Sequence, residues 1–305
     1  MKVVVTGSHG LIGSAVVARL RADDHDVVRL VRSRPGPGEA RWDPASGVVD
    51  PAAVDGATAV VHLAGAGIGD HRWSPAYKAE ILDSRVTGTR AVARAVATAA
   101  EPRPALISAS AVGWYGSARG DETLTEDSSA GSGFLAEVCR RWEEATTPAA
   151  DAGARVVHMR NGVVLSAAGG ALGRQLPLFR LGLGGRLGSG SQHLTWISRR
   201  DVAGAIIHLI AGDISGPVNL CAPNPVTNAE FTAALGRVLR RPARLAVPRP
   251  ALRLALGSEL VEQVILADQR AVPARLSSSG FGFAHPDIES ALPAALADDR
   301  LEAAP

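Results

Sequence analysis

Lys2-Val3-Val4-Val5-Thr6-Gly7-Ser8-His9-Gly10-Leu11-Ile12-Gly13 is a β-branched run that breaks into three glycines, each separated from the next by two residues. Val3-Val4-Val5 has the character of a fully buried strand. Beyond the glycines, Leu11, Ala15, Ala18 and Val16, Leu20 recur at helical spacing, which predicts a helix over Leu11 to Arg21 with those residues on its inner face. In a strand-turn-helix of this kind the first glycine permits the tight turn. The second lets the backbone approach a ligand, and the third lets helix and strand pack closely. The helix then presents N–H groups and its positive dipole end to an anion. Gly7, Gly10, Leu11, Ile12 and Gly13 are therefore expected to cradle the pyrophosphate of a dinucleotide.

Outward from this loop, short apolar strands alternate with amphipathic helical stretches. Val27 to Val31, Ala59 to Leu63, Ala105 to Ser108 and Arg155 to Met159 have strand character. A helix is expected from Ser74-Pro75, where serine caps and proline takes the first helical position. Another is expected over Phe134 to Ala150, and a third over Asp201 to Ile210 ahead of the short strand Val218-Asn219-Leu220. The pattern predicts an α/β fold, a Rossmann-type doubly wound parallel sheet with a smaller C-terminal substrate-side domain. Residues 166–194 are Gly-rich and read as an irregular excursion on the substrate side. The dinucleotide-binding domain is thus expected over 1–165 and 195–222, and the second domain over 166–194 and 223–305. Thr227 and Glu230 form a capping-box pattern at a helix start, and the polar, Ala-rich tail is expected to fray.

The end of the second strand bears on the choice of dinucleotide. An NAD site places Asp or Glu there to bind the ribose hydroxyls, whereas an NADP site needs donors for the 2′-phosphate. Here the sequence is Leu30-Val31-Arg32-Ser33-Arg34, without a carboxylate. Arg32 and Ser33 offer a forked cation and a hydroxyl, so the expected cofactor is NADP (NADPH). The plain alternative is that these arginines belong to a solvated loop.

The chain has 305 residues, 46% hydrophobic, enough to bury a large core without disulfides. Its two cysteines, Cys139 and Cys221, form no Cys-x-x-Cys pair and are expected to be buried thiols, with no metal site. A formal charge of +2, with basic residues interspersed among acidic ones, points to neither nucleic acid nor an anionic membrane. The first residues lack signal-peptide character, and no run of about 18 apolar residues occurs. A cytoplasmic protein acting on a small molecule is the expectation.

The glycine spacing, His62-Leu63-Ala64-Gly65 after a strand, and Ser110 ahead of Trp114-Tyr115-Gly116 resemble the extended short-chain dehydrogenase/reductase and sugar-nucleotide epimerase superfamily. Further motifs narrow the resemblance. Arg72-Trp73, Ser84-Arg85, Ser108 to Gly116, Phe134 to Cys139 with Trp142-Glu143, Gln192 with Thr195-Trp196-Ile197, and Gly280-Phe281 resemble an atypical "epimerase family" group. That group has been labelled cell-division-inhibitor-like and carries a small C-terminal domain of unassigned role. The resemblance runs from Val3 to about Leu292. It implies the fold, an NAD(P) cofactor touching Leu63, Ala64, Gly65 and Ser84, and a pocket position, and it names no reaction. By the same resemblance a homodimer is possible.

The superfamily's proton shuttle is a tyrosine with a lysine one helical turn later. At the corresponding helix this chain has Phe134 and Val138, neither of which moves a proton. Ser110 matches the position that orients a substrate oxygen and is the leading catalytic candidate, with Tyr115, close by in sequence, as a second. Each has a plain structural alternative, a strand-end serine and a packed tyrosine. Phe134, Gln192 and Trp196 are the candidate substrate-pocket residues, with core packing as the alternative for Trp196. Lys78 and Arg85, seven apart, share a helix face, and His158 and His193 read as packing or surface histidines. No nucleophile elbow is formed by Gly188-Ser189-Gly190-Ser191, which lacks a strand-turn-helix context. Three readings are open. The first is an NADP-dependent oxidoreductase or epimerase-like enzyme, the second a non-catalytic NADP-binding redox-sensing or regulatory protein, and the third a true sugar-nucleotide epimerase.

Overall fold

The computed structural model describes residues 1–302, with side chains described to residue 297. The chain forms two compact units. The first comprises Met1–Ala111, Glu137–Arg160 and Ala203–Val218, and the second Val112–Ala136, Asn161–Val202 and Asn219–Pro305. These segments differ from the expected boundaries chiefly at residues 112–136. Their Val112, Tyr115 and Leu124 share a buried cluster with Cys221 and Ala271, and so belong to the second unit. The expectation of a frayed tail falls partly on residues 303–305, outside the described residues.

An eight-stranded sheet runs in the order Gly216–Leu220, Val156–Asn161, Ala105–Ala111, Ala59–His62, Lys2–Thr6, Asp26–Val31, Glu39–Asp43, Val48–Val49. Lys2–Thr6 pairs in parallel with Asp26–Val31 on one side and Ala59–His62 on the other, so strand order reverses at this strand. Such a reversal opens a crevice at the carboxyl ends of the strands, where α/β sheets bind their ligands. In register, Thr6 lies beside Leu30 and His62, which puts the Gly7 loop and the loop after His62 on either side of that crevice.

Val3, Val4 and Val5 are completely buried, as strands covered on both faces must be. The first helix, Leu11–Ala22, buries Gly13, Val16, Val17 and Leu20, and Ala18, expected on the inner face, is exposed. Ser74 caps the helix Pro75–Thr98 by accepting from the Tyr77 amide at 3.1 Å. The helix expected over Phe134 to Ala150 is instead two, Phe134–Glu144 and Thr147–Asp151. Pro148 explains the break, since it lacks an N–H and its ring would collide with the carbonyl one turn earlier.

In the second unit, the stretch expected to be irregular contains the helix Gly170–Arg180. Leu172, Leu176 and Phe179, at i, i+4 and i+7, bury one face among Trp196, Phe231, Leu235 and Leu292. The capping box forms as expected: Thr227 accepts from the Glu230 amide, and Glu230 accepts from the Thr227 amide at 2.7 Å. No helix among the described residues is long and apolar enough to cross a membrane, and no group of three or more His, Cys, Asp or Glu among them could hold a metal ion.

Candidate functional site

The glycine loop has the geometry its spacing predicts. Gly7 sits at φ +65°, and a Cβ there would come within 2.8 Å of the Leu63 carbonyl carbon. A Cβ on Gly13 would lie 2.2 Å from the Gly7 carbonyl oxygen, so helix and loop touch where only hydrogen fits. Gly10 is the N-cap residue and brings no side-chain acceptor to the helix, whose first turn carries no acidic residue. No side-chain carboxylate or cap thus competes at the positive dipole end of this helix, the kind of end that suits an anion.

Opposite it, the loop after His62 is fastened from beneath. Thr6 Oγ1 accepts from the Leu63 amide at 3.0 Å and the Ala64 amide at 3.3 Å, and lies 2.8 Å from His62 Nδ1. With both amides donating to it, Thr6 is left to donate its hydroxyl hydrogen to Nδ1, which would put the His62 proton on Nε2, a buried atom with no hydrogen-bond partner among the described residues. Burial pushes the His62 pKa down to about 4, so the ring is neutral at physiological pH. Ser84 extends the fastening: its Oγ accepts from the Ala66 amide at 3.1 Å and donates to the Ile81 carbonyl at 3.2 Å. Leu63, Ala64, Gly65 and Ser84 are thus brought together. Arg32 and Ser33 follow the second strand directly and are exposed. Among the described residues Arg32 makes no hydrogen bond or ion pair.

Ser110, near the end of Ala105–Ala111, is buried and donates to Glu143 Oε1 at 2.7 Å. Glu143 is gripped by Arg160 through Nε to Oε1 at 2.9 Å and Nη2 to Oε2 at 3.0 Å, a bidentate pair with both partners buried. Thr146 donates to the Glu143 carbonyl at 2.7 Å and so accepts from His158 Nε2 at 2.9 Å. Burial lowers the pKa of His158. The network joins a strand end, a helix and the neighbouring strand, and fixes Ser110 as a donor toward Glu143.

Tyr115 is fully buried and donates to Asn219 Oδ1 at 2.7 Å within an apolar cluster. This is the packed tyrosine and not a catalytic residue, its hydroxyl committed to Asn219 in the core. Trp196 is likewise fully buried, its Nε1 donating to the Asn224 carbonyl, so it is core and not a pocket wall. Gln192 does line a cavity of about 460 Å³ in the second unit, with Ser117, Ser189, Ser191, Arg249 and Asp268. Phe134 is half-buried at its helix start and is not part of that lining. His193, read as a single histidine, meets Asp268, whose Oδ1 lies 2.9 Å from Nδ1 and also accepts the His193 amide at 2.8 Å.

Sequence reasoning missed Thr6, His62, Glu143 and Arg160 as supports of the site. The signals were present but local: a polar residue at or near the end of each of three strands, and a carboxylate on an amphipathic helix.

Residues 3–221 match the NAD dependent epimerase/dehydratase family, and residues 247–295 match a domain of unknown function, DUF1731. An epimerase family protein of Mycobacterium bovis is 51% identical over 292 residues, covering 95% of this chain and 96% of that one. Human epimerase family protein SDR39U1 is 36% identical over 298 residues, covering 96% and 98%. A crystal structure of human SDR39U1 isoform 2 with NADPH superposes with a TM-score of 0.88 at 34% identity, covering 98% of this chain and all of that one. With its glycine loop at the sheet's switch point and relatives matching nearly end to end, this chain belongs to the NAD dependent epimerase/dehydratase family, as an atypical NAD(P)-binding short-chain dehydrogenase/reductase with a C-terminal DUF1731 domain.

Proposed function

We propose that the protein is an NADP(H)-dependent oxidoreductase or epimerase-like enzyme acting on a small polar substrate. The observation that carries the cofactor assignment is the end of the second strand. Arg32 and Ser33 stand exposed there where an NAD site would place a carboxylate. The relative SDR39U1, crystallised with NADPH, supports the same reading. The backbone of Gly7, Gly10, Leu11, Ile12 and Gly13 would hold the pyrophosphate, Arg32 and Ser33 the 2′-phosphate, and Leu63, Ala64, Gly65 and Ser84 the opposite wall. When bound, the nicotinamide supplies hydride exchange.

Ser110 is the residue to orient a substrate hydroxyl, by accepting its hydrogen bond while its own hydrogen goes to Glu143, with Glu143 and Arg160 as its positioning residues. Arg32→Ala is expected to weaken NADPH by about tenfold or more, the worth of a lost charge-assisted phosphate contact, while NADH changes by less than about threefold. Titration following nicotinamide fluorescence measures both, and equal losses would sink the assignment.

A specific observation favours a second reading, a non-catalytic NADP-responsive regulator. The Ser110 hydroxyl is bonded to Glu143, and Phe134 and Val138 offer no transferable proton. NADPH oxidation against a panel of carbonyl compounds separates the two. Turnover abolished in Ser110→Ala supports the enzyme, whereas tight NADPH binding without turnover supports the regulator.

A further inference from the structure

Arg85 is a buried cation without a buried anion. Its residue is 6% exposed, on the helix Pro75–Thr98, and its guanidinium lies 4.9 Å from the centre of the Trp142 ring. Nη1 donates to the Ile81 carbonyl at 3.0 Å, and among the described residues Arg85 makes no other hydrogen bond and no ion pair. A guanidinium has five N–H donors, so most of its fork is uncommitted. The titratable groups that face it are the Cys139 thiol and the Tyr77 phenol. Burial raises the pKa of both, holding them neutral, while burial of Arg85 itself disfavours its charge.

Removing a cation from water without a counter-charge is costly, and stacking on an indole compensates for only part of that cost. The side chain is also aimed. A Cβ on the exposed Gly65 would lie 3.4 Å from Arg85 Cγ, 3.5 Å from Cζ and 3.6 Å from Nη1. The guanidinium therefore lies directly against Gly65, where the absence of a side chain leaves it open to the loop's exposed face.

We propose that Arg85 is a preformed anion-binding residue, whose uncommitted fork takes a phosphate-type oxyanion arriving past Gly65. The planar fork matches phosphate oxygens in a way a lysine would not. Trp142 holds the plane in orientation before the ligand arrives. The inference rests on the reading of Leu63, Ala64, Gly65 and Ser84 as one wall of the dinucleotide site. The oxyanion has two possible sources, the pyrophosphate of the cofactor or a phosphate group on the substrate.

The test uses the full chain, NADPH and inorganic pyrophosphate. NADPH affinity is read by fluorescence, and pyrophosphate affinity by calorimetry on both the free and the NADPH-saturated protein. If the cofactor is the source, Arg85→Gln weakens NADPH by about tenfold or more, and pyrophosphate competes with NADPH in the wild type only. If the substrate is the source, NADPH affinity stays within about twofold while pyrophosphate binding to the NADPH-saturated protein is lost. Arg85→Lys should recover only part of either loss. Unchanged affinities for both ligands in folded Arg85→Gln overturn the proposal.

Should that variant not fold, arginine side-chain NMR of the wild type decides the matter. The resonance shifted by the Trp142 ring, identified through Trp142→Phe, must move on adding NADPH or pyrophosphate, and its indifference to both overturns the proposal. Failure of the NADP reading is seen separately, in Arg32→Ala or in a wild type that binds neither NADPH nor NADH. The pyrophosphate arm still decides Arg85 in that case.

Discussion

Gly13 shows how a single hydrogen atom controls the cofactor site. The 2.2 Å between its would-be Cβ and the Gly7 oxygen leaves no rotamer to adjust, so the loop itself must move. Gly13→Ala is expected to cost about 1–3 kcal/mol of stability as an overpacked contact. It should weaken NADPH by about tenfold or more by displacing the amides proposed to hold the phosphates. Urea unfolding and fluorescence titration check the two effects, and native affinity in the variant would show that the loop tolerates a side chain. Ser110 teaches the complementary lesson. Its position in the sequence matched a catalytic role, but its hydroxyl is bound by a carboxylate 33 positions away that no local pattern connects to it.

At the scale of elements, the clasp between the strands Lys2–Thr6 and Ala59–His62 makes stability depend on pH. His62 is fully buried with its pKa lowered to about 4, against 6.5 when unfolded. Between these values the unfolded chain binds the proton more readily, so His62's contribution is complete above pH 6.5 and is lost as pH falls toward 4. The loss over that window is roughly 3 kcal/mol, at 1.36 kcal/mol per pH unit. Urea denaturation at stepped pH should show it, and His62→Asn should flatten that slope. An unchanged slope in the variant would assign acid sensitivity to other groups. The broken helix at Pro148 and the formed helix at Gly170–Arg180 mark where element reading failed. Hydrophobic periodicity carried through the first, and clustered glycines masked the second, whose apolar face became decisive only against its partners in the core.

Across the whole molecule, each unit carries one buried thiol, Cys139 in the first and Cys221 in the second. Burial pushes the pKa of Cys139 up to about 12 and raises that of Cys221 well above its usual value. Because only the thiolate reacts, the native protein should take up no maleimide at pH 8, whereas the denatured protein takes up two equivalents. Site-resolved mass spectrometry along a urea series then follows each unit by its own residue. NADPH should raise the urea concentration at which Cys139 labels, because a ligand held by the folded Gly7 loop stabilises the unit that contains it. Labelling of either cysteine in the native state would contradict the burial of both thiols.

The strand-glycine-helix opening, the alternation that builds a parallel sheet, the missing carboxylate after Val31 and the capping box at Thr227 were all legible in the amino-acid sequence. Each depends on residues a few positions apart, where backbone geometry and spacing alone dictate the outcome. Tertiary structure alone decided that Tyr115 and Trp196 are core, that Glu143 and Arg160 hold Ser110, and that Arg85 is buried against Trp142 beneath Gly65. Burial and partnership are properties of distant segments brought together, and a serine, tyrosine or arginine has the same local pattern whether it faces solvent, ligand or core.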